Sequence, residues 1–93
     1  MYQIVEKRQL NDTVVLMKVA APFIAKKAMP GQFIIFRVNE KGERIPLTIA
    51  DYDREAGTIT IIFQVVGRGT QELAALNQGD SILDFVGPLG KPS

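Results

Sequence analysis

Two short segments, about twenty residues apart, carry the residue types in this chain that could do chemistry. The first is Arg44-Ile45-Pro46-Leu47-Thr48-Ile49-Ala50-Asp51 and the second is Val65-Val66-Gly67-Arg68-Gly69-Thr70. Each adjoins a strand-like stretch, and each combines a guanidinium, a hydroxyl and a backbone constraint. In the second, Gly67 and Gly69 flank Arg68 where a strand gives way to a helix. Glycine lets a backbone approach an anion closely and permits left-handed φ. A helix start adds free N–H groups and a positive dipole end. Arg68 and the Thr70 hydroxyl could add hydrogen bonds to phosphate oxygens. In the first segment Pro46 stiffens the backbone and Thr48 offers a hydroxyl on a strand. Plain alternatives stay open: Gly-x-Gly is common at strand–helix turns, Thr70 could only cap its helix, and Arg44 could be a solvated residue beside a kinked edge strand. Together the segments look like two sides of one site for a phosphate-bearing cofactor.

Other chemistries find less support. Asp51-Tyr52-Asp53 could pair carboxylates as acid and base, but a turn held by Asx hydrogen bonding suits it better. The chain has no cysteine and no histidine, so it offers no thiolate, disulfide, self-ligated iron–sulfur cluster, imidazole base or His-held metal. The net charge of +1 gives no field to draw in nucleic acid or an anionic membrane. Aromatic residues are not interleaved with basic ones, which speaks against single-strand nucleic-acid binding. No apolar run is long enough to span a membrane. Met1-Tyr2-Gln3 leads straight into a strand pattern without a signal peptide, so a cytoplasmic location is expected.

The scaffold must bring the two segments together. At 93 residues, 46% hydrophobic and 23% charged, the chain has the composition of one globular domain. Strand signals dominate: Tyr2 to Gln9, Thr13 to Ala20, Gln32 to Val38, Ile45 to Tyr52, Thr58 to Val66 and Ser81 to Val86. Thr58, Thr60 and Ile62 alternate with Ile59, Ile61 and Phe63, the clearest period-two pattern. Phe33, Phe36, Phe63 and Phe85 read as core. Residues 21–29 read as a loop that could hold one helical turn. Asn39 to Glu43 reads as a hairpin loop in which Gly42 supplies positive φ. Thr70 to Leu76 reads as a short helix with Thr70 as N-cap, and Gly87 to Ser93 as a Gly/Pro-rich exit. The expected fold is all-β, a six-stranded antiparallel Greek-key barrel with one short helix, closure removing exposed edges.

With these residues in place the chain resembles the flavin-binding barrel of the ferredoxin–NADP reductase superfamily. It is most similar there to the small subunits of NADH-dependent ferredoxin:NADP oxidoreductases and to the electron-transfer subunits of dihydroorotate dehydrogenases. The matching stretches are Pro30-Gly31-Gln32-Phe33, Arg44 to Asp51, Val65 to Thr70, Gly79-Asp80 and Gly87-Pro88-Leu89-Gly90, in family order along nearly the whole chain. The resemblance implies an FAD site. In the superfamily an Arg-x-Tyr-Ser/Thr motif holds the flavin, its arginine on phosphate, its aromatic on the isoalloxazine and its hydroxyl near N5. Here the frame is Ile45-Pro46-Leu47-Thr48. Leu47 takes the aromatic position and Thr48 the hydroxyl position. Arg44 stands one residue before the arginine position, which in a strand is the opposite face. The implied cofactor-binding set is Arg44, Pro46, Leu47, Thr48, Val65, Val66, Gly67, Arg68, Gly69 and Thr70, with no catalytic residue and no metal ligand.

Residues 1–88 are then expected to be the FAD-binding barrel, and 89–93 the start of a linker to an absent NAD(P)-binding domain. In the superfamily that domain carries the nicotinamide site. In the most similar members an iron–sulfur cluster and a larger partner subunit follow. The chain is accordingly expected to be a fragment that holds FAD without turning over NAD(P)H, with a bared crevice that could drive homodimerisation. The rival readings are a dihydroorotate dehydrogenase electron-transfer subunit and a non-enzymatic barrel serving as a binding module.

Overall fold

The computed structural model describes residues 1–91. Its elements run β1 (Tyr2–Gln9), β2 (Val14–Ala20), α1 (Pro22–Lys27), β3 (Phe33–Arg37), β4 (Ile45–Asp53), β5 (Thr58–Gln64), α2 (Arg68–Ala74), β6 (Ser81–Ile82) and β7 (Asp84–Leu89). All the strands join one antiparallel sheet in the order β6-β1-β2-β5-β4-β3-β7. The chain passes from β2 to β3 at the far side of the sheet, and β4 and β5 then fill the gap between them. This is the Greek-key connection expected from the sequence.

Among the described residues there are seven strands, not six, and the reason is closure. The run expected as one strand from Ser81 to Val86 breaks at Leu83. Its first half, β6, pairs with β1 through Tyr2↔Ile82. Its second half, β7, pairs with β3 at the opposite end of the sheet through Phe36↔Phe85 and Arg37↔Asp84. One stretch thus serves both edges and nearly closes the sheet into a barrel, leaving little edge for another chain to pair with. β7 also runs on through Gly87 and Pro88 to Leu89, which pairs with Phe33, so the region expected as an exit starts as strand. Pro92 and Ser93 lie outside the described residues.

Alternation places the core. Val15, Met17 and Val19 of β2 stand opposite Phe63, Ile61 and Ile59 of β5, and all six are buried. Ile34, Phe36 and Phe85 fill the other side of the barrel. Each such side chain contributes about 1.5–3 kcal/mol by leaving water. Phe33, expected in the core, is only half-buried, because in β3 it is Ile34 and Phe36 that point inward.

A second helix, α1, stands where a loop with one turn was expected. Pro22 sits at its start, where a missing N–H costs nothing, and Ile24 and Ala25 are buried. Gly42 does not adopt positive φ. That role falls to Gly31, Gly57, Gly79 and Gly90. The Asn39–Gly42 turn is held instead by the Asn39 side chain, whose Oδ1 accepts from the Lys41 N–H at 3.0 Å, and by the Gly42 N–H donating to the Asn39 carbonyl.

Candidate functional site

The two segments do meet. β4 stays with β3 along its first half, through Ile45↔Phe36, Pro46↔Ile35, Leu47↔Ile34 and Thr48↔Phe33. Its pairing with β5 begins only at Ile49↔Ile61. β5 meanwhile follows β2, through Val14↔Gln64 and then the Val65 N–H donating to the Thr13 carbonyl at 2.7 Å. The strands therefore part, and residues 45–48, unpaired with β5, and 64–69, which follow β2, form the two sides of a gap in the pairing, called the crevice below. At its base Gly69 lies against Ile45, so closely that a Cβ on Gly69 would collide with the Ile45 side chain.

The β4 edge facing this crevice has a defined character. The Ile49 N–H donates to the Gln32 carbonyl at 2.9 Å, so odd-numbered residues of this stretch direct their N–H groups toward β3. Pro46 and Thr48 direct their backbone toward the side that β5 has left. Pro46 has no N–H to leave unpaired there. Thr48 brings an N–H to the same edge, and its side chain is exposed, as is that of Pro46. Ile45 and Leu47 alternate to the inner side, half-buried against the core.

Arg44 stands just before β4 and, like Pro46 and Thr48, is exposed. Its guanidinium is 63% exposed and lies 3.8 Å from Asp84 Oδ2. The stronger partner of that carboxylate is Arg37, whose Nε and Nη2 approach the same oxygen at 2.8 and 2.7 Å. Arg37 and Asp84 gave no motif-level signal. What could have marked them is a charge at the end of each of two apolar strands.

On the other wall, Val66 is 73% exposed and a Cβ on Gly67 would meet nothing. The Arg68 side chain is 84% exposed and lies 3.6 Å from Glu72 one turn on, along a groove of about 410 Å³ also bordered by Asn39 and Lys41. An exposed pair of that kind holds a side chain weakly, so Arg68 can swing toward the crevice. Helix α2 begins at Arg68, with Gly67 as its N-cap and Thr70 at its third position, two residues earlier than expected. Thr70 is buried, and its hydroxyl bonds to the backbone of Val66 and Gly67. As the structure stands, it does not point to the crevice as a ligand.

Gln32 is a positioning residue that motif reading passed over. It is buried, its Oε1 accepts from the Met29 N–H at 2.9 Å, and its Nε2 donates to the Gly90 carbonyl at 3.0 Å. With its own carbonyl on Ile49, it ties β4 to the turn before β3 and to the end of β7. Asp51 to Asp53, read as a loop end, are the last residues of β4 and pair with β5, and only Asp53 holds the turn that follows. Asp53 Oδ1 accepts from the N–H groups of Glu55 and Ala56, and Asp51 Oδ1 from that of Tyr52. Among the described residues no group of His, Cys, Asp and Glu is arranged to hold a metal, and no helix is long and apolar enough to cross a membrane.

Known proteins with this sequence and shape agree in kind. No protein-family model matches the chain. A protein of Clostridium beijerinckii, described only as an uncharacterized protein in the adh 3' region, is 62% identical over the whole chain, which covers 31% of it. A Thermotoga maritima homologue of the electron transfer subunit of dihydroorotate dehydrogenase B (NAD(+)) is 47% identical over 98% of the chain, and 32% of it is covered. The chain thus spans about a third of the length of the curated relatives it matches. A solved structure of an NADH-dependent reduced ferredoxin-NADP oxidoreductase, described for flavin-based electron bifurcation, superposes on all of the chain with a TM-score of 0.98 at 46% identity, over 34% of its own length. The cytochrome b5 reductase domain of Ulva prolifera nitrate reductase shares the fold, with a TM-score of 0.69 at 19% identity, over 96% of this chain and 40% of that one. A nearly closed Greek-key barrel, a strand parted from its neighbour and a glycine turn facing it, with these relatives, identify the chain as a barrel domain of the ferredoxin–NADP reductase superfamily.

Proposed function

We propose that this chain is the FAD-holding barrel of an oxidoreductase that moves electrons between NAD(P)H and ferredoxin or a partner subunit. The observation that carries the reading is the crevice in which the open edge of β4 faces the glycine turn, with Gly69 seated on Ile45. It has the two features an FAD needs: an apolar strand edge with one free N–H and one hydroxyl for the ring, and a glycine turn at a helix start for the pyrophosphate.

Bound FAD would supply hydride acceptance and one-electron transfer. The chain's own residues would bind and orient it. Thr48, through its N–H or hydroxyl, would lie near the ring's N5. Leu47 would give apolar contact in place of the family's aromatic. Pro46 would keep the edge free of a competing donor. Residues 65–69 would meet the pyrophosphate with backbone N–H groups, and Arg68 and Arg44 are the cations within reach of its charge. The nicotinamide site, an iron–sulfur cluster and a larger subunit would belong to the rest of the parent protein, and its place would be the cytoplasm. The barrel would end near Pro88, with the linker to the NAD(P)-binding domain beyond it. A second reading, an electron-transfer subunit serving dihydroorotate dehydrogenase, is favoured by the names of several relatives 30–47% identical to this chain.

The test is titration of the purified chain with FAD, followed by flavin absorbance and quenching of flavin fluorescence. One FAD per chain is expected, with no NADPH-dependent dye reduction. A folded chain that leaves the FAD spectrum unchanged at millimolar concentration would remove the reading. Turnover of NADPH by the chain alone would contradict the placing of the nicotinamide site elsewhere in the parent protein.

A further inference from the structure

Among the strands, only β3 pairs with residues 45–48, because β5 has left them. β3 is backed in turn by β7, and that pairing is broken opposite the same stretch. The register shifts between Phe33 and Ile35, where Gly87 and Pro88 of β7 together face Ile34, a bulge. Pro88 has no N–H to give the ladder. Gly87 lies so close to Ile34 that a Cβ would come within 2.7 Å of its Cγ2. Beyond the bulge, the end of β7 is joined to β3 by Leu89, which stands opposite Phe33, and by the Gln32 Nε2, which donates to the Gly90 carbonyl at 3.0 Å. Gly90, at φ +85°, rests on the Phe33 ring, where a Cβ would lie 3.0 Å from Cε1.

The rest of Gln32 is engaged as well. Its Oε1 accepts from the Met29 N–H at 2.9 Å. A backbone N–H can only donate and a carbonyl only accept, so these two partners fix which way the amide faces. Gln32 is 8% exposed, so water competes little for either bond. Its backbone carbonyl takes the Ile49 N–H at 2.9 Å, and the next residue, Phe33, stands opposite Thr48. Two consecutive residues thus touch both the end of the last strand and the free edge of β4. We infer that Gln32 is a positioning residue whose amide couples the end of β7 to that edge, so that a displacement of Gly90 reaches Thr48 and Ile49 through a continuous set of hydrogen bonds and paired residues. The coupling needs no ligand; what it positions, the strand edge beside a flavin ring, rests on the flavin reading. A load placed on Gly90 then alters the surroundings of the ring without touching the ring.

Amide hydrogen exchange on the ligand-free chain tests the coupling. Gln32→Glu keeps an acceptor for the Met29 N–H but, as a carboxylate, has no hydrogen to give Gly90. The Ile49 amide is expected to exchange about five- to tenfold faster than in the wild type, the worth of one lost hydrogen bond. The amides of Leu16 and Met17, in a strand paired on both sides, should keep their wild-type rates. Gly90→Ala disturbs the coupling from its other end, through the left-handed φ and the contact with Phe33, and leaves Gln32 intact. It too should speed Ile49, although its added methyl meets Phe33 and not β4. Wild-type exchange of Ile49 in either variant overturns the proposal, and so does equal acceleration of Leu16 and Met17, which marks a general loss of stability. Should Gln32→Glu not fold, Gly90→Ala decides. With FAD bound, both variants should shift the flavin absorbance maxima, and Gly57→Ala should not. Unchanged maxima in both would overturn the positioning role. Failure of FAD to bind the wild type would count against the flavin reading alone and leave the exchange rates to decide the coupling.

Discussion

Gly69 is seated against the side chain of Ile45, with no room for a Cβ between them. This contact sets the distance between the turn that enters α2 and the free half of β4. It brings the two segments into direct contact beside the strand edge where the cofactor is proposed to lie.

Gly69→Ala sets two effects of opposite sign against each other. Alanine favours helix by about 0.5–1 kcal/mol, while the added methyl overpacks Ile45 at a cost of about 1–3 kcal/mol. The collision is with the far end of a flexible side chain, so the net loss is expected near 1 kcal/mol in urea denaturation. Combining it with Ile45→Val should restore wild-type stability or exceed it, a coupling of more than about 0.5 kcal/mol. Simple additivity of the two substitutions would show that the contact does not set the spacing.

Thr48→Val separates ligand binding from folding. Thr48 is exposed, so stability should change by less than about 0.5 kcal/mol. If Thr48 lies near the ring, FAD affinity or the flavin absorbance maxima should shift. An unchanged flavin spectrum and affinity would place the ring elsewhere.

The carboxylate of Asp84 holds Arg37 tightly and Arg44 loosely. Arg37→Met should therefore cost about 1 kcal/mol, and Arg44→Ala less than about 0.5 kcal/mol, in thermal or urea unfolding. Because Arg44→Ala leaves the fold intact, any fall in its FAD affinity, steepest at low salt, would report a phosphate contact by that guanidinium. Equal stability losses in the two variants would contradict the ranking.

Gly57 has φ +71°, and a Cβ there would lie 3.0 Å from Cβ of Pro22. Gly57→Ala should cost about 1–2 kcal/mol from the left-handed backbone alone. It is away from the crevice, so its FAD affinity should match wild type once temperature is lowered below the new midpoint.

Much of this was readable from residue order. In β5 the alternation of Ile59, Ile61 and Phe63 against Thr58, Thr60 and Ile62 names the core-facing side, because a strand's side-chain period is two, although Thr60 is buried as well. Residues 21–29, however, read as a loop that could hold one helical turn, and Pro22 starts a six-residue helix there. Gly42 read as a left-handed residue, yet the Asn39 side chain does the turning. Local chemistry allowed either outcome in both places, and neighbouring elements chose.

What the sequence by itself determined is the strand pattern, the Greek-key barrel class and the two segments worth watching, since these follow from local periodicity and turn chemistry. Only the tertiary structure decided how they work. The break at Leu83 that lends one stretch to both edges, the parting of β4 from β5 before Ile49, and the seat of Gly69 on Ile45 all depend on residues far apart in the chain. So does which N–H groups remain free, because hydrogen-bond partners across a sheet are set by register, and register is fixed by the whole barrel closing at once.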